Sequence, residues 1–263
     1  MRARAEIAAF GLHDVCDRFT DSGDQRPGSV HYKHSRQLFH SYLDELAQSS
    51  YPNTSVGALD LNREGRHFML TFDDGGQSAT YICDQLNERG WKGHFFIVSG
   101  MIDARPFLGE REIRYLRSCG HIVGTHSHTH PEIFKILKPE AMLEEWRVSS
   151  AKLADILGEA CDVGSVPGGD VSRRVFEAAE EAGIRYLFTS DPAVRPRKIG
   201  ETWIIGRAAL KTTTSAAQLR RLAEFRGWKK EAAIRRSKVA ARTVLFPFYK
   251  RAIERRGMAI QSV

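Results

Sequence analysis

The sequence predicts an α/β fold in which a parallel sheet, closed or open, is covered by helices. Two observations carry that expectation. Short apolar runs alternate with stretches of helical period, and the helical stretches end on glycine. At 263 residues the chain suits one such domain, or one with an appendage, and two independent enzymatic domains would be cramped. With 42% apolar and 27% charged residues, and no low-complexity tract or internal repeat, wholesale disorder is excluded.

The elements follow in order. AEIAAFGL reads as a strand and RQLFHSYLDELA as a helix; HFMLTF is followed by SATYICDQLNERG, HFFIV by REIRYLRSCG, and HIVGT by a long helical pattern from Pro139 to Gly158. CDVGSVP, SRRVFEAAEEAG, IRYLFTS and TWIIG continue the alternation. Gly90, Gly120, Gly158 and Gly183 each stand where a left-handed cap would end a helix.

The net charge of +7 is unevenly spread. Residues 220–256 carry 13 Lys/Arg against 3 Asp/Glu, which leaves 26 against 29 on the rest. We therefore expect a mildly acidic body, residues 1–219, and a basic amphipathic helical extension, 220–263. In the extension Ile234, Ala241, Leu245, Phe248 and Ala252 could line one face, and Pro247 should kink it. Residues 228–256 could lie on an anionic membrane surface or pack on the body with a solvated basic face. No base-reading motif accompanies the charge, so no nucleic acid is expected.

Cys16, Cys83, Cys119 and Cys161 form no C-x-x-C pair and read as buried thiols. Glu6, His13 and Asp14 interrupt the apolar run that a signal peptide needs, and no stretch approaches the ~18 apolar residues of a membrane span. Cytoplasm is the expected compartment.

In parallel α/β folds chemistry sits on loops leaving the C-terminal ends of strands. HFMLTF runs directly into Asp73-Asp74-Gly75-Gly76, and HIVGT into His126-Ser127-His128-Thr129-His130, so both polar clusters fall on one rim. Adjacent carboxylates repel and need a cation or a proton beside them. His126 and His130, four apart, converge on one ion if the turn between them is tightly wound. Two imidazoles and a carboxylate then leave open positions for water and substrate.

Thr71-Phe72-Asp73-Asp74-Gly75, followed by His126 to Pro131, resembles the first two motifs of the polysaccharide deacetylases, carbohydrate esterase family 4, which include nodulation-type chitooligosaccharide deacetylases. The resemblance implies a distorted (β/α) barrel with parallel strands and outer helices. It implies a hydrolase that removes an N-acetyl group from an amino sugar with one divalent ion, zinc foremost, and cobalt, nickel or iron as alternatives. Asp73 becomes the catalytic base; Asp74, His126 and His130 become the metal ligands; Ser127 holds the histidine loop. The third motif falls near Ser165-Val166-Pro167-Gly168-Gly169, where the N–H after the proline faces the oxyanion. Gly168, Asp191, Arg207 and His128 are the candidates for contact with oxyanion or substrate.

Two departures stand out. The arginine that usually orients the base is replaced by Ser165, and Arg173, Arg174 or Arg207 could supply a guanidinium instead. The usual acid histidine after the last strand is absent, because Ile204 to Leu210 contains none and no histidine follows His130. His128, His94, His13, water or Asp73 itself must then protonate the leaving group, and we expect Asp73 to return its proton. His94 reads as a packed strand residue. The substrate is expected to be an N-acylated sugar or a glycan-biosynthesis intermediate. A sugar deformylase, an imide hydrolase and a catalytically silent sugar-binding relative are the alternatives.

Overall fold

The computed structural model describes residues 3–241. Its strands are β1 (Ala5–Leu12), β2 (Gly65–Phe72), β3 (Gly93–Ile97), β4 (Ile122–Thr125), β5 (Val163–Ser165), β6 (Tyr186–Thr189), β7 (Arg197–Ile199) and β8 (Thr202–Ala209). All but β7 run parallel and close into a barrel, with β8 pairing back onto β1 through Ala9 and Arg207. Outside lie α1 (Arg36–Ala47), α2 (Ser78–Asn87), α3 (Glu110–Ser118), α4 (Pro139–Leu157), α5 (Arg173–Glu181) and α6 (Ala216–Ala223). The expected (β/α) barrel is therefore the fold. The one strand not anticipated, β7, is antiparallel to β8; its Arg-Lys-Ile sequence is too short and polar to stand out as a strand.

Both faces of each barrel strand are buried, which is why the strands read as near-continuous apolar runs. On β1, Ile7 and Ala9 join Met69, Phe96, Phe188 and Ile205 in one cluster inside the barrel. Ala8, Phe10 and Leu12 alternate outward into a second cluster with Phe39 and Leu43 of α1 and Leu219 and Leu222 of α6. Helix α1 starts where the Ser35 hydroxyl accepts the Leu38 N–H at 3.2 Å, and it buries Phe39, Tyr42, Leu43 and Leu46 on one stripe.

The boundary expected after residue 219 falls inside α6, and Leu222, Ala223 and Trp228 belong to the same core cluster as Phe10. Residues 228–241 are helical. Their inward face is Trp228, Glu231, Ala232, Arg235 and Val239, not the face expected from periodicity, since Ile234 is 37% exposed. Trp228 anchors that face, with its ring 6.1 Å from Phe10 and its indole N–H donating to the Leu222 carbonyl at 2.9 Å. Leu245, Pro247, Phe248 and Ala252 lie outside the described residues. Among the described residues no helix is long and apolar enough to cross a membrane. Cys83 and Cys161 are buried as expected, whereas Cys16 and Cys119 are half-exposed.

Three histidines away from the rim are fully buried. His94 packs inside the barrel, where its Nε2 accepts the Val56 N–H at 3.1 Å. Burial pushes His34, His94 and His121 each down to about 4, with His13 and Lys92 adding to the effect at His34 and His121 respectively. The unfolded chain thus binds protons below its ordinary imidazole value of about 6.5 that the folded chain refuses. Stability should be full above about pH 7 and fall steadily between about 6.5 and 4. Urea unfolding at pH 7.5 and 5.0 checks this: the midpoint should drop at the lower pH, and an unchanged midpoint would mean these imidazoles are not buried neutral.

Candidate active site

At the end of β2 the Asp73 N–H donates to the Leu12 carbonyl at 2.9 Å, which keeps Asp73 in strand register. Asp74 then turns into the left-handed region, with φ 78°, and Gly75 follows at φ 82°. The next glycine is required for another reason: a Cβ on Gly76 would lie 2.1 Å from the buried Asp14 carboxylate. Asp14 itself is held by the Lys33 ammonium at 2.8 Å, the Ser78 hydroxyl at 2.7 Å and the Gly23 N–H at 2.9 Å. This network pins the loop after β1 against the Asp-Asp turn.

The loop after β4 is wound by Ser127, φ 66°, and His130, φ 53°. The Ser127 hydroxyl accepts the His130 N–H at 3.1 Å. Three of the five left-handed non-glycine residues among those described lie in these two turns, so backbone strain is concentrated where the polar clusters meet. The winding brings the rings of His126 and His130 to 5.0 Å between centroids, with their Nε2 atoms 3.5 and 3.6 Å from Asp74 Oδ1.

Both Asp74 oxygens are buried and accept no hydrogen bond. An isolated buried carboxylate is strongly unfavourable, and a cation facing it removes the penalty. Asp74, His126 and His130 each offer one ligand atom, all within 4.8 Å of one another, so the donor set fits a divalent ion. His126 is oriented for this: its Nδ1 lies 2.9 Å from the Ser165 carbonyl, which only accepts, so Nδ1 carries the hydrogen and the Nε2 lone pair faces Asp74. His130 differs, since its Nδ1 is 3.2 Å from Nη2 of Arg26, which only donates. Ligation through His130 Nε2 thus requires Arg26 to release Nδ1.

Asp73 points the other way, into the barrel, onto Arg207 of β8. Nη1 of Arg207 donates to Asp73 Oδ1 at 2.8 Å and Nη2 to Oδ2 at 2.9 Å, a two-pronged pair with both side chains buried. The remaining donors go to Thr71 Oγ1 at 2.8 Å, Ser165 Oγ at 2.7 Å and, from Nε, the Thr189 carbonyl at 3.4 Å. Ser165 therefore stands where the family has its arginine, and the guanidinium arrives from β8 across the barrel. Arg173 and Arg174 are exposed on α5 and take no part. Nor is Arg207 a contact for oxyanion or substrate, because it lies beneath Asp73 with 1% of its surface exposed. Burial alone would raise the Asp73 carboxyl, but the charge of Arg207, then His126, the Arg207 hydrogen bonds and His13 outweigh it and hold the group well below the usual carboxylate range.

The other expected residues are spread around this centre. The Ser99 hydroxyl lies 2.9 Å from the His128 Nδ1 and the Gly100 N–H donates to its carbonyl, so this half-buried residue is tied at both ring and backbone. Gly168 is exposed on the turn after β5. Asp191 is on the rim but paired with Arg235 at 3.2 Å. His13 stacks on Tyr32 at 4.8 Å between centroids and is the largest favourable charge influence on Asp74 after the opposing effect of burial. Asp24, Arg26, Lys33 and Ser78 were not anticipated; no motif marks them, and only chain closure brings them to the rim. Gly23, Arg26, Asp74, Met101, Phe107 and His130 line a cavity of about 260 Å³ over the cluster.

The bare Asp74 carboxylate yields a stability prediction. In chelator-treated protein Asp74→Asn should not raise stability, because burial is outweighed by His13, His130, His126 and Lys33, which together favour the ionised carboxylate in the fold. Added zinc should raise the melting temperature of the parent chain but not of the variant. Thermal melts with and without zinc check both statements, and a zinc response that survives in Asp74→Asn would contradict the ligand assignment.

The family model for polysaccharide deacetylase matches residues 60–187. An uncharacterised 30.6 kDa protein of Geobacillus stearothermophilus is 29% identical over 131 residues, 48% of this chain and 46% of its own. The peptidoglycan-N-acetylglucosamine deacetylase PgdA of Listeria monocytogenes is 30% identical over 124 residues, 46% of this chain and 25% of its own. The chain thus spans less than half the length of these relatives. Among solved structures, IcaB from Ammonifex degensii shares the fold with a TM-score of 0.70 at 20% identity, over 83% of this chain and 97% of that one. Streptococcus pyogenes deacetylase PplD gives 0.68 at 15% identity, over 83% and 98%. Over residues 60–187 the chain thus matches the polysaccharide deacetylase family model, and its barrel carries the Asp-Asp and histidine clusters on one rim.

Proposed function

We propose that the chain is a metal-dependent hydrolase that removes an N-acetyl group from an amino sugar within an oligosaccharide or glycan-biosynthesis intermediate, with zinc as the ion. The observation that carries the reading is the contrast between neighbours: Asp74 is buried with no hydrogen bond and faces two imidazoles, while Asp73 has both oxygens occupied by one guanidinium. The name of the Listeria relative, an N-acetylglucosamine deacetylase, supports the substrate class.

A divalent ion held by Asp74, His126 and His130 would supply an acidified water and a Lewis acid for the amide carbonyl. Asp73 takes the proton from the attacking water. Arg207 keeps Asp73 ionised and fixed before that step, at the expense of basicity, and it makes the protonated carboxyl a strong acid. Asp73 is therefore suited to hand the same proton to the departing amine, which accounts for a site lacking the family's usual acid histidine. The resemblance of residues 165–169 to the family's third motif assigns the Gly168 N–H to the negative charge developing on the carbonyl oxygen. Met101 and Phe107 give the sugar ring apolar surface at the mouth of the cavity.

Metal analysis coupled to acetate release over N-acetyl amino sugars of increasing length tests the reading. Asp74→Ala should lose both metal and activity. Asp73→Asn should keep the metal and lose about 10²–10⁴-fold in rate. Release of formate instead of acetate would redirect the reading to a deformylase, and glycan binding without turnover would refute it.

A further inference from the structure

Arg235 sits on the 228–241 helix, beyond the barrel and outside the residues matched by the family. Its Nη2 donates to the Gly169 carbonyl and to Asp170 Oδ1, each at 2.7 Å, and its Nε to Asp191 Oδ1 at 3.2 Å. The side chain is only 16% exposed. Lys135 approaches the other Asp170 oxygen at 3.4 Å, so the loops leaving β4, β5 and β6 all meet around this one guanidinium.

The turn that Arg235 grips has little stiffness of its own. Gly168 and Gly169 are consecutive and both left-handed, at φ 63° and 68°. Glycine loses more conformational freedom on ordering than any other residue, so such a turn keeps one shape only through contacts that hold it. Within the turn, the Gly169 N–H donates to the Val166 carbonyl at 3.1 Å. Behind it Ser190 packs so closely that a Cβ on Gly169 would lie 2.2 Å from the Ser190 hydroxyl. From the open side the hold comes from Arg235, a charged fork whose bonds to a carbonyl and two carboxylates are stronger than neutral ones.

We propose that Arg235 is a positioning residue for the catalytic rim: reaching in from the helix that follows the barrel, it fixes the Gly168–Gly169 turn in the shape that presents the Gly168 N–H to the reacting carbonyl. The segment after the last strand is then a working part of the active-site face. The kinetic side of this rests on the deacetylase reading above, whereas the conformational side does not.

The test uses the full chain as parent, Arg235→Ala and Arg235→Lys, with Arg236→Ala as control, since Arg236 is exposed on the same helix. Hydrogen–deuterium exchange should quicken about tenfold or more at the Gly169 amide, which is bonded to the Val166 carbonyl, in Arg235→Ala, less in Arg235→Lys, and not at all in Arg236→Ala. The histidine loop at 126–130 and zinc binding should stay as in the parent. With an active substrate, Arg235→Ala should lower kcat about 10- to 100-fold while KM moves less than about threefold. Unchanged exchange at the Gly169 amide overturns the proposal, as does an equal effect from Arg236→Ala or a normal kcat in a variant whose turn exchanges faster. If Arg235→Ala does not fold, the exchange comparison between Arg235→Lys and the parent decides. A parent chain that hydrolyses no acyl sugar refutes the functional reading and leaves the exchange result to judge the tether alone.

Discussion

The ion pair between Asp73 and Arg207 is the constraint around which the rest of the site is arranged. Two full charges are buried inside a parallel barrel, where leaving either unpaired would be severely destabilising. The structure meets that demand with the fork on both carboxylate oxygens and with the hydroxyls of Thr71 and Ser165 taking further donors. Space comes from small side chains. Gly11 lies beside the guanidinium on the neighbouring strand, where a Cβ would make ordinary contact with its central carbon at 3.5 Å, and Ser165 occupies little of the volume an arginine would fill. The rings of Phe96 and Phe188 flank the cation at 5.7 and 6.0 Å.

Because Asp73 is committed downward to Arg207, its neighbour is free for the rim. The left-handed backbone at Asp74 turns that carboxylate toward the histidine loop, and the Asp14 network behind Gly76 holds the turn in place. Two adjacent residues of one type thus acquire different chemistry from their surroundings alone: one carboxylate has a donor on each oxygen, the other has none. The histidines divide similarly. His126 is locked by the Ser165 carbonyl with its free nitrogen toward Asp74, whereas Arg26 holds the His130 ring from the opposite nitrogen. Ser165 takes part in both halves of the site, its hydroxyl on Arg207 and its carbonyl on His126, so the residue that departs from the family pattern couples the base to the ligand loop.

Much of this was legible in the sequence because the signals were local. Apolar runs buried on both faces mark the barrel strands, and dense polar clusters directly after two of them mark the rim. The partner of Asp73 was half legible: a lone arginine in the apolar stretch Ile204 to Leu210 must find an acceptor, but which one depends on barrel closure, where Arg207 comes opposite Ala9 of β1. Arg26 and Asp24 lie in an irregular loop without periodicity or motif, and only the fold brings them over the cluster. Packing of the tail on the body was among the readings, but the face by which residues 228–241 dock was misread for a similar reason. Its periodicity pointed to an aliphatic face through Ile234, while the face that docks is built on Trp228 and on Arg235, a charge that packs because acidic rim loops await it. The antiparallel β7 escaped notice because three mostly polar residues carry no period.

A double-mutant cycle on the buried pair probes the central claim most directly. Unfolding free energies of the metal-free parent, Asp73→Asn, Arg207→Met and the double variant would be measured in urea at pH 7.5. If Arg207 holds an ionised Asp73 inside the barrel, each single change should cost about 3–5 kcal/mol and the double variant far less than their sum, a coupling of about 2 kcal/mol or more. Losses that add to within about 0.5 kcal/mol would mean the two groups do not depend on each other, and the account of the base would fall.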